Sequence, residues 1–357
     1  MTRPELTNRT LYISFDGALQ PLGHSQVVRL LVTLSMSGQR YTLVTLERSE
    51  DLAQSHRVRA LEVELQNAGI RWIYGTYKPG GTGIASNLAQ VTSMVHQAVR
   101  AGDIELVHAR GYQPGTIARG VKSLYGIPYI FDFRGLWIDE RLEEGRWFAN
   151  PIALTTARRV EKSLFDSADA IVSLAEPGAE LLRSGNLTGR PYRGQLVVIP
   201  TAVDFKAFSM SDESGGDSEL AAVRSWVGGG LLLGWVGSIN RWYNTDASLS
   251  IVRRVLDRLP NARLLCLTQQ REEMESALTP HNLGHASRVV SVSHGEIPRW
   301  VRELDWGLQI MGTSRAKAAS MPTKFAEFIA SGVRPIHHGC NDEVTSWVER
   351  CGTGYNL

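Results

Sequence analysis

Residues 320–332 read SMPTKFAEFIASG and run directly into the apolar stretch VRPIH at 333–337. Apolar side chains recur at helical spacing through the first stretch, and Gly332 supplies the stop signal at its end. At its start, Ser320 or its neighbour is suited to cap the helix, and Pro322 suits the first turn. A helix that leads straight into a buried strand is the repeating unit of a parallel α/β sheet. This stretch therefore indicates the fold class.

The same alternation of short apolar runs and amphipathic stretches extends through the whole chain. Up to residue 200 the predicted strands are 11–15, 41–46, 71–74, 106–109, 129–133, 170–174 and 196–200, with helices at 26–36, 58–68, 87–100 and 152–166. The polar stretch 209–219 is predicted to be a surface loop. After it the strands are 231–236, 263–267, 289–292, 307–311 and 333–337, with helices at 245–258, 298–303, 323–330 and 343–350. Such buried strands joined by helices predict parallel sheets covered on both faces.

Two such units in tandem predict an α/β protein with two Rossmann-like domains, residues 1–205 and 206–357. The 357 residues are enough for two hydrophobic cores. Open α/β sheets bind ligands at the carboxyl ends of their strands. We therefore expect the two domains to face each other across a ligand-binding cleft.

The composition excludes several classes of protein. With 43% hydrophobic and 21% charged residues, the chain is neither disordered nor collagen-like. The 38 basic and 36 acidic residues give a net charge of +2, which is no argument for nucleic-acid binding. Three scattered cysteines indicate a reducing compartment, not a disulfide framework or a zinc site. Since no signal peptide or membrane-spanning run is evident, we expect a cytoplasmic protein, at most peripheral on the inner face of the membrane.

The helix predicted at 323–330 carries the clearest chemical signal. A helix N-terminus presents unpaired amides and the positive end of the helix dipole, which suits a diphosphate. Lys324 and Glu327 are three residues apart and share one face of this helix. A cation beside the amides and a carboxylate one turn deeper suit a phosphate and a ribose diol, respectively. The alternative is an exposed Lys–Glu pair on a surface helix.

Several segments, in the expected order, resemble glycosyltransferase family 4, whose members have the GT-B fold. Besides 320–332, they are VIPTAVD at 198–204, GWVGSINRWYN at 234–244, FDG at 15–17, PLGHSQV at 21–27, and DFRGLW with DER at 132–141. The resemblance spans nearly the whole chain. It implies a retaining, nucleotide-sugar-dependent glycosyltransferase of the hexosyltransferase type, active in polysaccharide biosynthesis. The acceptor would be a glycan or a lipid-linked glycan.

The resemblance also implies roles for individual residues. In the second domain the donor-binding residues would be Gly237, Ser238, Arg241, Pro322, Thr323, Lys324 and Glu327, with Gly23 contributing from the first domain. Arg241 and Lys324 would also act catalytically, by stabilising the departing diphosphate. Glu327 would hold the nucleotide ribose. For Gly237, a tight turn between strand and helix is an equally good interpretation.

In the first domain, Asp132 is the catalytic candidate, since it lies at the end of a predicted strand and is suited to accept a hydrogen bond from a sugar or acceptor hydroxyl. Trp137 is suited either to stack on a sugar or to pack in the core. Gly17 and Gly23 either let a loop close over the sugar or simply form a turn. The family often has a histidine in the loop that here carries Asp132, and His24 and His108 are the alternatives for its role.

Two features depart from the family pattern. Ala319 stands eight residues before Glu327, where the family often has a first glutamate that touches the donor sugar. The chain also stops at Leu357, whereas family members usually continue into helices that pack across the first domain. The sequence therefore predicts a short or truncated member of the family.

The resemblance implies no cofactor and no bound metal, because the diphosphate is held by protein groups. Arg158, Arg159 and Lys162 share a predicted helix, and either face solvent or contact anionic lipid. Three alternatives to a transferase remain: a nucleotide-sugar binding protein without activity, an epimerase or hydrolase with the same fold, and, most weakly, a Rossmann oxidoreductase. The sequence identifies neither the nucleotide, the sugar nor the oligomeric state.

Overall fold

A computed structural model of the chain describes residues 9–145, 150–209, 218–239, 242–293 and 295–357. The chain divides into two compact units, Met1–Pro200 and Thr201–Leu357. Each unit contains one sheet in which every neighbouring pair of strands is parallel. The predicted class, α/β with two parallel sheets, is confirmed.

The first unit contains a seven-stranded sheet in the order β3-β2-β1-β4-β5-β6-β7. Its strands are β1 (Arg9–Ile13), β2 (Arg40–Glu47), β3 (Arg71–Thr76), β4 (Ile104–Arg110), β5 (Tyr129–Phe133), β6 (Ala170–Ser173) and β7 (Gln195–Val198). Its helices are α1 (Pro21–Gly23), α2 (Arg29–Ser35), α3 (Ser49–Leu52), α4 (Ser55–Asn67), α5 (Gly81–Arg100), α6 (Tyr112–Tyr125), α7 (Trp137–Glu143), α8 (Pro151–Ser167) and α9 (Glu176–Arg183). A π-helical turn, His24–Val28, joins α1 to α2.

The second unit contains a six-stranded sheet in the order β10-β9-β8-β11-β12-β13. Its strands are β8 (Leu232–Val236), β9 (Arg263–Leu267), β10 (Ser287–Val290), β11 (Trp306–Thr313), β12 (Arg334–Cys340) and β13 (Tyr355–Asn356). Its helices are α10 (Phe205–Ser209), α11 (Ser218–Val227), α12 (Thr245–Arg258), α13 (Arg271–Leu278), α14 (Ile297–Val301), α15 (Thr323–Ala330) and α16 (Asp342–Cys351). Most of the loop predicted at 209–219 lies outside the described residues; Ser209 ends α10, and α11 begins at Ser218.

Burial on both faces of the central strands explains their unbroken apolar sequences. All five residues of β8 are buried. Leu233 and Trp235 belong to one hydrophobic cluster of the second unit, and Leu232 and Val236 belong to another. Side chains alternate between the two faces of a strand, so both faces of this sheet carry a core. A strand in that position has to be apolar at every residue.

Residues 201–205, which the sequence assigned to the first domain, belong to the second unit. The Thr201 hydroxyl donates a hydrogen bond to the carbonyl oxygen of Met321 at 3.2 Å. Phe205 and Met321 line the same cavity of about 230 Å³. In the described part of the chain, no helix combines the length and the hydrophobicity that crossing a bilayer requires.

Candidate functional site

The second unit brings Lys324 of α15 against the glycine turn that follows β8. Gly237 has a φ of 104°, and a Cβ built there would lie 2.6 Å from both Cε and Nζ of Lys324. Only glycine fits this position without displacing the lysine. The ammonium of Lys324 lies 3.6 Å from the ring centroid of Tyr243 and 5.9 Å from that of Trp235. The two aromatic faces stabilise the charge by cation–π attraction.

Lys324 and Glu327 are both half-buried, so the alternative of an exposed surface pair is wrong. Burial lowers the pKa of Lys324 to about 7, and the nearby Glu327 carboxylate acts in the opposite sense. Burial raises the pKa of Glu327, with Lys324 opposing that rise. Within the described residues, neither side chain is within ion-pair distance of an opposite charge. Both groups can therefore bind a ligand that supplies a compensating partner.

The N-terminus of α15 lies beside this lysine. Pro322 occupies the N-cap position, and no side chain caps the helix. The predicted cap, Ser320 or its neighbour, is wrong because the helix begins only at Thr323. The amides of Thr323 and Lys324 are the first two of the helix and have no partner within it. Amides, dipole and ammonium together form a site suited to an anion.

Two other residues, Arg241 and Ser238, were predicted to bind the donor. Arg241 lies outside the described residues, so its roles in donor binding and catalysis stay predictions. Ser238 follows Gly237 directly in the turn after β8, and it is exposed. The amide of Gly237 donates to the carbonyl oxygen of Leu267 at 2.7 Å, which holds this turn against β9.

In the first unit, Asp132 lies in a buried cluster of charges at the carboxyl ends of neighbouring strands. Arg110 of β4 is in register with Asp132 of β5, and a guanidinium nitrogen lies 3.6 Å from the carboxylate. Arg134 reaches the other carboxylate oxygen at 3.5 Å. His108 Nε2 lies 3.8 Å from Asp132 Oδ2. Asp16 accepts a hydrogen bond from Arg110 Nε at 2.9 Å.

The charges around Asp132 keep it ionised. Burial works to raise the pKa of Asp132, but Arg134, His108 and Arg110 outweigh it and hold the pKa well below its usual range. Asp132 Oδ1 and His108 Nε2 are nonetheless buried without a hydrogen-bond partner. Buried polar atoms of this kind normally find a partner in a ligand or an ordered water. The cluster is therefore a candidate site for ligand hydroxyl groups.

The glycines near the start of the chain pack tightly in the first unit. A Cβ on Gly23 would lie only 1.9 Å from the carbonyl oxygen of Gly17. A Cβ on Gly17 would lie 2.6 Å from Glu47 Oε2. Both positions therefore require glycine for a close approach of backbone. Their predicted roles in closing over the sugar stay predictions.

Glu47, at the end of β2, holds this loop in place. It is fully buried, and its carboxylate accepts hydrogen bonds from the amides of Ala18 and Leu19 at 2.8 and 3.0 Å. The Thr45 hydroxyl donates to the same carboxylate at 2.5 Å and accepts from Trp72 Nε1 at 2.8 Å. Three donors thus converge on one buried acidic group.

We expect Glu47→Gln to destabilise the protein by about 2–3 kcal/mol, because the amide group would turn an N–H toward a backbone or hydroxyl donor. Urea unfolding of the full chain measures the change. Glu62→Gln, at an exposed position of α4, serves as the matched control and should change the free energy of unfolding by less than about 0.5 kcal/mol. Equal stability of the two variants would contradict this role of Glu47.

Other predicted first-domain residues are engaged within their own unit. Trp137 packs against Tyr112, with ring centroids 5.9 Å apart, and Arg141 lies 5.6 Å from the Trp137 ring. His24 Nε2 lies 3.1 Å from Glu64 Oε2. Of the two histidine alternatives, only His108 lies beside Asp132.

Of the basic residues of α8 that were considered for lipid contact, Arg158 and Lys162 are engaged within the unit, whereas Arg159 is exposed. Arg158 binds both oxygens of Asp139 and one oxygen of Glu161 at 2.8–2.9 Å. Lys162 donates to the carbonyl oxygen of Thr188 at 2.5 Å. The charge of Arg158 is thus already compensated within the unit.

Sequence reasoning missed three residues of these two sites: Tyr243 in the second unit, and Asp16 and Arg110 in the first. Arg110 had a usable signal, because it directly follows the predicted strand 106–109, and the next predicted strand carries Asp132. Among the described residues, no group of three or more His, Cys, Asp or Glu side chains is placed to bind a metal ion.

Comparison with known proteins relates this chain to one family model and to several solved structures. Residues 18–202, just over half of the chain, match the model of the glycosyl transferase 4-like domain. No curated protein matches the sequence significantly. Among solved structures, sucrose-phosphate synthase from Thermosynechococcus elongatus is similar with a TM-score of 0.70 and 16% identity, over 98% of this chain and 86% of that one.

Two further structures are similar at comparable levels. Anabaena HepE in complex with UDP and glucose has a TM-score of 0.67 and 13% identity, over 98% of this chain and 85% of that one. A putative UDP-N-acetylglucosamine 2-epimerase from Listeria monocytogenes has a TM-score of 0.59 and 13% identity, over 98% and 83%. At these identities the likeness shows the fold alone, which is GT-B.

Proposed function

The chain belongs to the glycosyl transferase 4-like family of glycosyltransferases, and from this premise we propose that it transfers a hexose from a nucleoside diphosphate sugar to a glycan or lipid-linked acceptor. The observation that carries the donor proposal is the position of the Lys324 ammonium, which lies against Gly237 and beside the free amides of α15. That arrangement supplies both charge and hydrogen-bond donors for a diphosphate. UDP, which HepE binds, is the first nucleotide to test.

The reaction we propose retains the configuration of the sugar. The acceptor hydroxyl oxygen forms a bond to the anomeric carbon on the face that the diphosphate leaves. The bond from that carbon to the phosphate oxygen breaks, and its electron pair stays on the phosphate. The hydroxyl proton moves to the same phosphate oxygen, so no protein base is required. Lys324 and the amides of α15 stabilise the developing negative charge, as does Arg241 in this proposal.

Glu327 is proposed to bind the ribose hydroxyls, one turn along α15 from Lys324. Its carboxylate is half-buried and has room for a ligand donor, since the described residues offer it no ion pair. Asp132 is proposed to bind an acceptor or sugar hydroxyl through Oδ1, which has no hydrogen-bond partner and lies 3.5 Å from Arg134. Cys266 and Cys340 are free thiols, which supports a cytoplasmic location on the side where nucleotide sugars are used. Peripheral contact with the membrane remains part of the proposal for a lipid-linked acceptor.

We expect Glu327→Ala to weaken binding of the nucleotide about ten- to a hundredfold, since it removes a charge-assisted hydrogen bond of about 1.5–3 kcal/mol. The measurement is a titration of the purified chain with UDP, GDP, ADP and TDP by calorimetry, supported by the rise in melting temperature. Glu272→Ala, an exposed position on α13, is the matched control and should bind like the parent chain. If Glu327→Ala bound the nucleotides as tightly as the parent chain does, the proposal that Glu327 binds the ribose would be wrong.

The epimerase-like or hydrolytic alternative is kept because the Listeria protein has the same fold. Incubation of the chain with the nucleotide sugar alone distinguishes it. A transferase leaves the sugar nucleotide intact until an acceptor is added, whereas an epimerase or hydrolase changes it without one. NMR of the transferred sugar then tests retention, and an inverted anomeric centre would contradict the mechanism. A bound nucleotide with no turnover under either condition would favour a binding protein.

A further inference from the structure

A second lysine, Lys317, is buried at the carboxyl end of β11, the strand next to β8. Only 7% of the residue is exposed. It lies in the short 3-10 turn Arg315–Lys317, and its ammonium donates to the carbonyl oxygen of Gly312 at 3.0 Å. The ring centroid of Trp242 is 5.8 Å away. Lys317 and Lys324 thus lie near the consecutive aromatic residues Trp242 and Tyr243, respectively.

The charge of Lys317 has no counter-charge in the described part of the chain. No described carboxylate is within ion-pair distance of it. Cys340 is the nearby acidic group, but burial raises the pKa of its thiol to about 12 although Lys317 acts to lower it. The thiol is therefore neutral. A buried ammonium held by one carbonyl and one ring is unfavourable unless an anion joins it.

The hydrogen-bonding groups around Lys317 are short of acceptors. An ammonium has three N–H donors, and the carbonyl of Gly312 accepts one of them. The carbonyl of Ser320 already accepts from the Asn341 side chain at 2.5 Å, and the Asn341 side-chain oxygen accepts from the amide of Val344. The Ser320 hydroxyl is buried without any partner. Ala319, fully buried, adds no polar group.

We propose that Lys317 is a specificity residue that binds an anionic substituent of the donor sugar, so that the preferred donor is a nucleotide-activated uronic acid. A carboxylate only accepts hydrogen bonds, and the site around Lys317 offers N–H and O–H donors in excess. A neutral hexose would present hydroxyl groups, which need acceptors as well, and among the side chains named here only the Ser320 hydroxyl is left to accept from them. This inference rests on the proposed function, because it takes the diphosphate to be bound by Lys324.

The test compares matched pairs of donors that differ only at the sugar carboxylate. UDP-glucose and UDP-glucuronate form one pair, and GDP-mannose and GDP-mannuronate form the other, with UDP and GDP alone as references. Calorimetry of the full chain should show the uronate bound about ten- to a hundredfold more tightly than its neutral partner. Lys317→Met should remove that preference and leave the affinities for the neutral sugar nucleotide and for the free nucleotide unchanged.

Substitutions of two other lysines, Lys324 and Lys206, serve as comparisons for Lys317→Met. Lys324→Met should weaken both donors of a pair equally, and Lys206→Met, an exposed position of α10, should weaken neither. The melting temperature of ligand-free Lys317→Met should equal or exceed that of the parent, because an unpaired buried charge is removed. A clear fall in melting temperature, with equal losses for both donors, would make Lys317 a structural residue and overturn the proposal.

The remaining outcomes separate this inference from the proposed function. Tight binding of UDP or GDP with no preference for either uronate would overturn the inference and leave the transferase proposal standing. If Lys317→Met lost affinity for the free nucleotide, Lys317 would bind the diphosphate, and the inference about the sugar carboxylate would be overturned too. Absence of binding by every nucleotide and sugar nucleotide would overturn both.

Discussion

Replacing Lys324 by methionine should reduce turnover of the nucleotide sugar about a hundred- to a thousandfold, the largest loss we expect from any single change in the second unit. Its ammonium is placed to neutralise charge that grows on the phosphate as the sugar leaves, and loss of one such preorganised donor typically costs this much. Methionine keeps most of the side-chain volume against Gly237. Steady-state kinetics at saturating acceptor measure the effect.

The pH dependence of donor affinity provides a second readout for Lys324. Because its pKa is lowered to about 7, the lysine of the ligand-free protein loses its charge as the pH rises through 7. Affinity for a sugar nucleotide, whose diphosphate stays ionised, should therefore fall above pH 7 in the parent chain. On the acid side Glu327, whose pKa is raised, is the group that loses its charge. Lys324→Met should lack the fall above pH 7.

Stability should respond to the same lysine in the opposite direction. The pKa of a lysine in an unfolded chain is about 10.4, so between pH 7 and about 10 the unfolded chain holds a proton that the folded chain does not. The ligand-free protein should therefore gain stability over this range, and the gain should be absent in Lys324→Met. Lys206→Met is the control for both pH series. If the affinity of Lys324→Met for the donor depended on pH as that of the parent does, a group other than Lys324 would bind the phosphate.

The hydrophobic pattern predicts the strands well, because a strand buried on both faces must be apolar throughout. Strands β5 and β9 have the predicted bounds, 129–133 and 263–267. Helix α6 was missed, since its sequence contains Pro114 and two glycines, which are weak helix formers. The structure shows why one of these glycines, Gly115, is needed. A Cβ at this position would lie 3.1 Å from the Phe131 ring. Close packing on β5 outweighs helix propensity there.

The candidate sites were predictable to the extent that they lie at strand ends. Lys324, Glu327 and Gly237 were chosen from the sequence, and the structure places the lysine against the glycine. The pairing of Arg110 with Asp132 depends on the register between β4 and β5, which no local pattern contains. Lys317 is the extreme case, because burial of a lysine in a polar turn is decided wholly by tertiary packing.

We expect Asp132→Asn to destabilise the protein by about 3–5 kcal/mol at pH 7, the largest loss of stability among the changes considered. The substitution keeps the shape of the side chain but removes the negative charge, so Arg134 loses its counter-charge and the buried guanidinium of Arg110 keeps only Asp16. Removing one partner from a buried ion pair typically costs this amount. Urea unfolding of the full chain at pH 7 measures it.

The pH dependence of this loss identifies its cause. The folded-state pKa of Asp132 lies below the value of about 3.9 for an unfolded aspartate, so the ionised carboxylate contributes stability above that pH. The contribution is lost as the pH falls below 3.9 toward the folded-state pKa, and the difference between Asp132→Asn and the parent should shrink over that range. Asp103→Asn is the matched control, because Asp103 pairs with Arg9 at the surface and its loss should cost no more than about 1 kcal/mol. If both asparagine variants lost equally little stability, the Asp132 cluster would not stabilise the first unit through its charges.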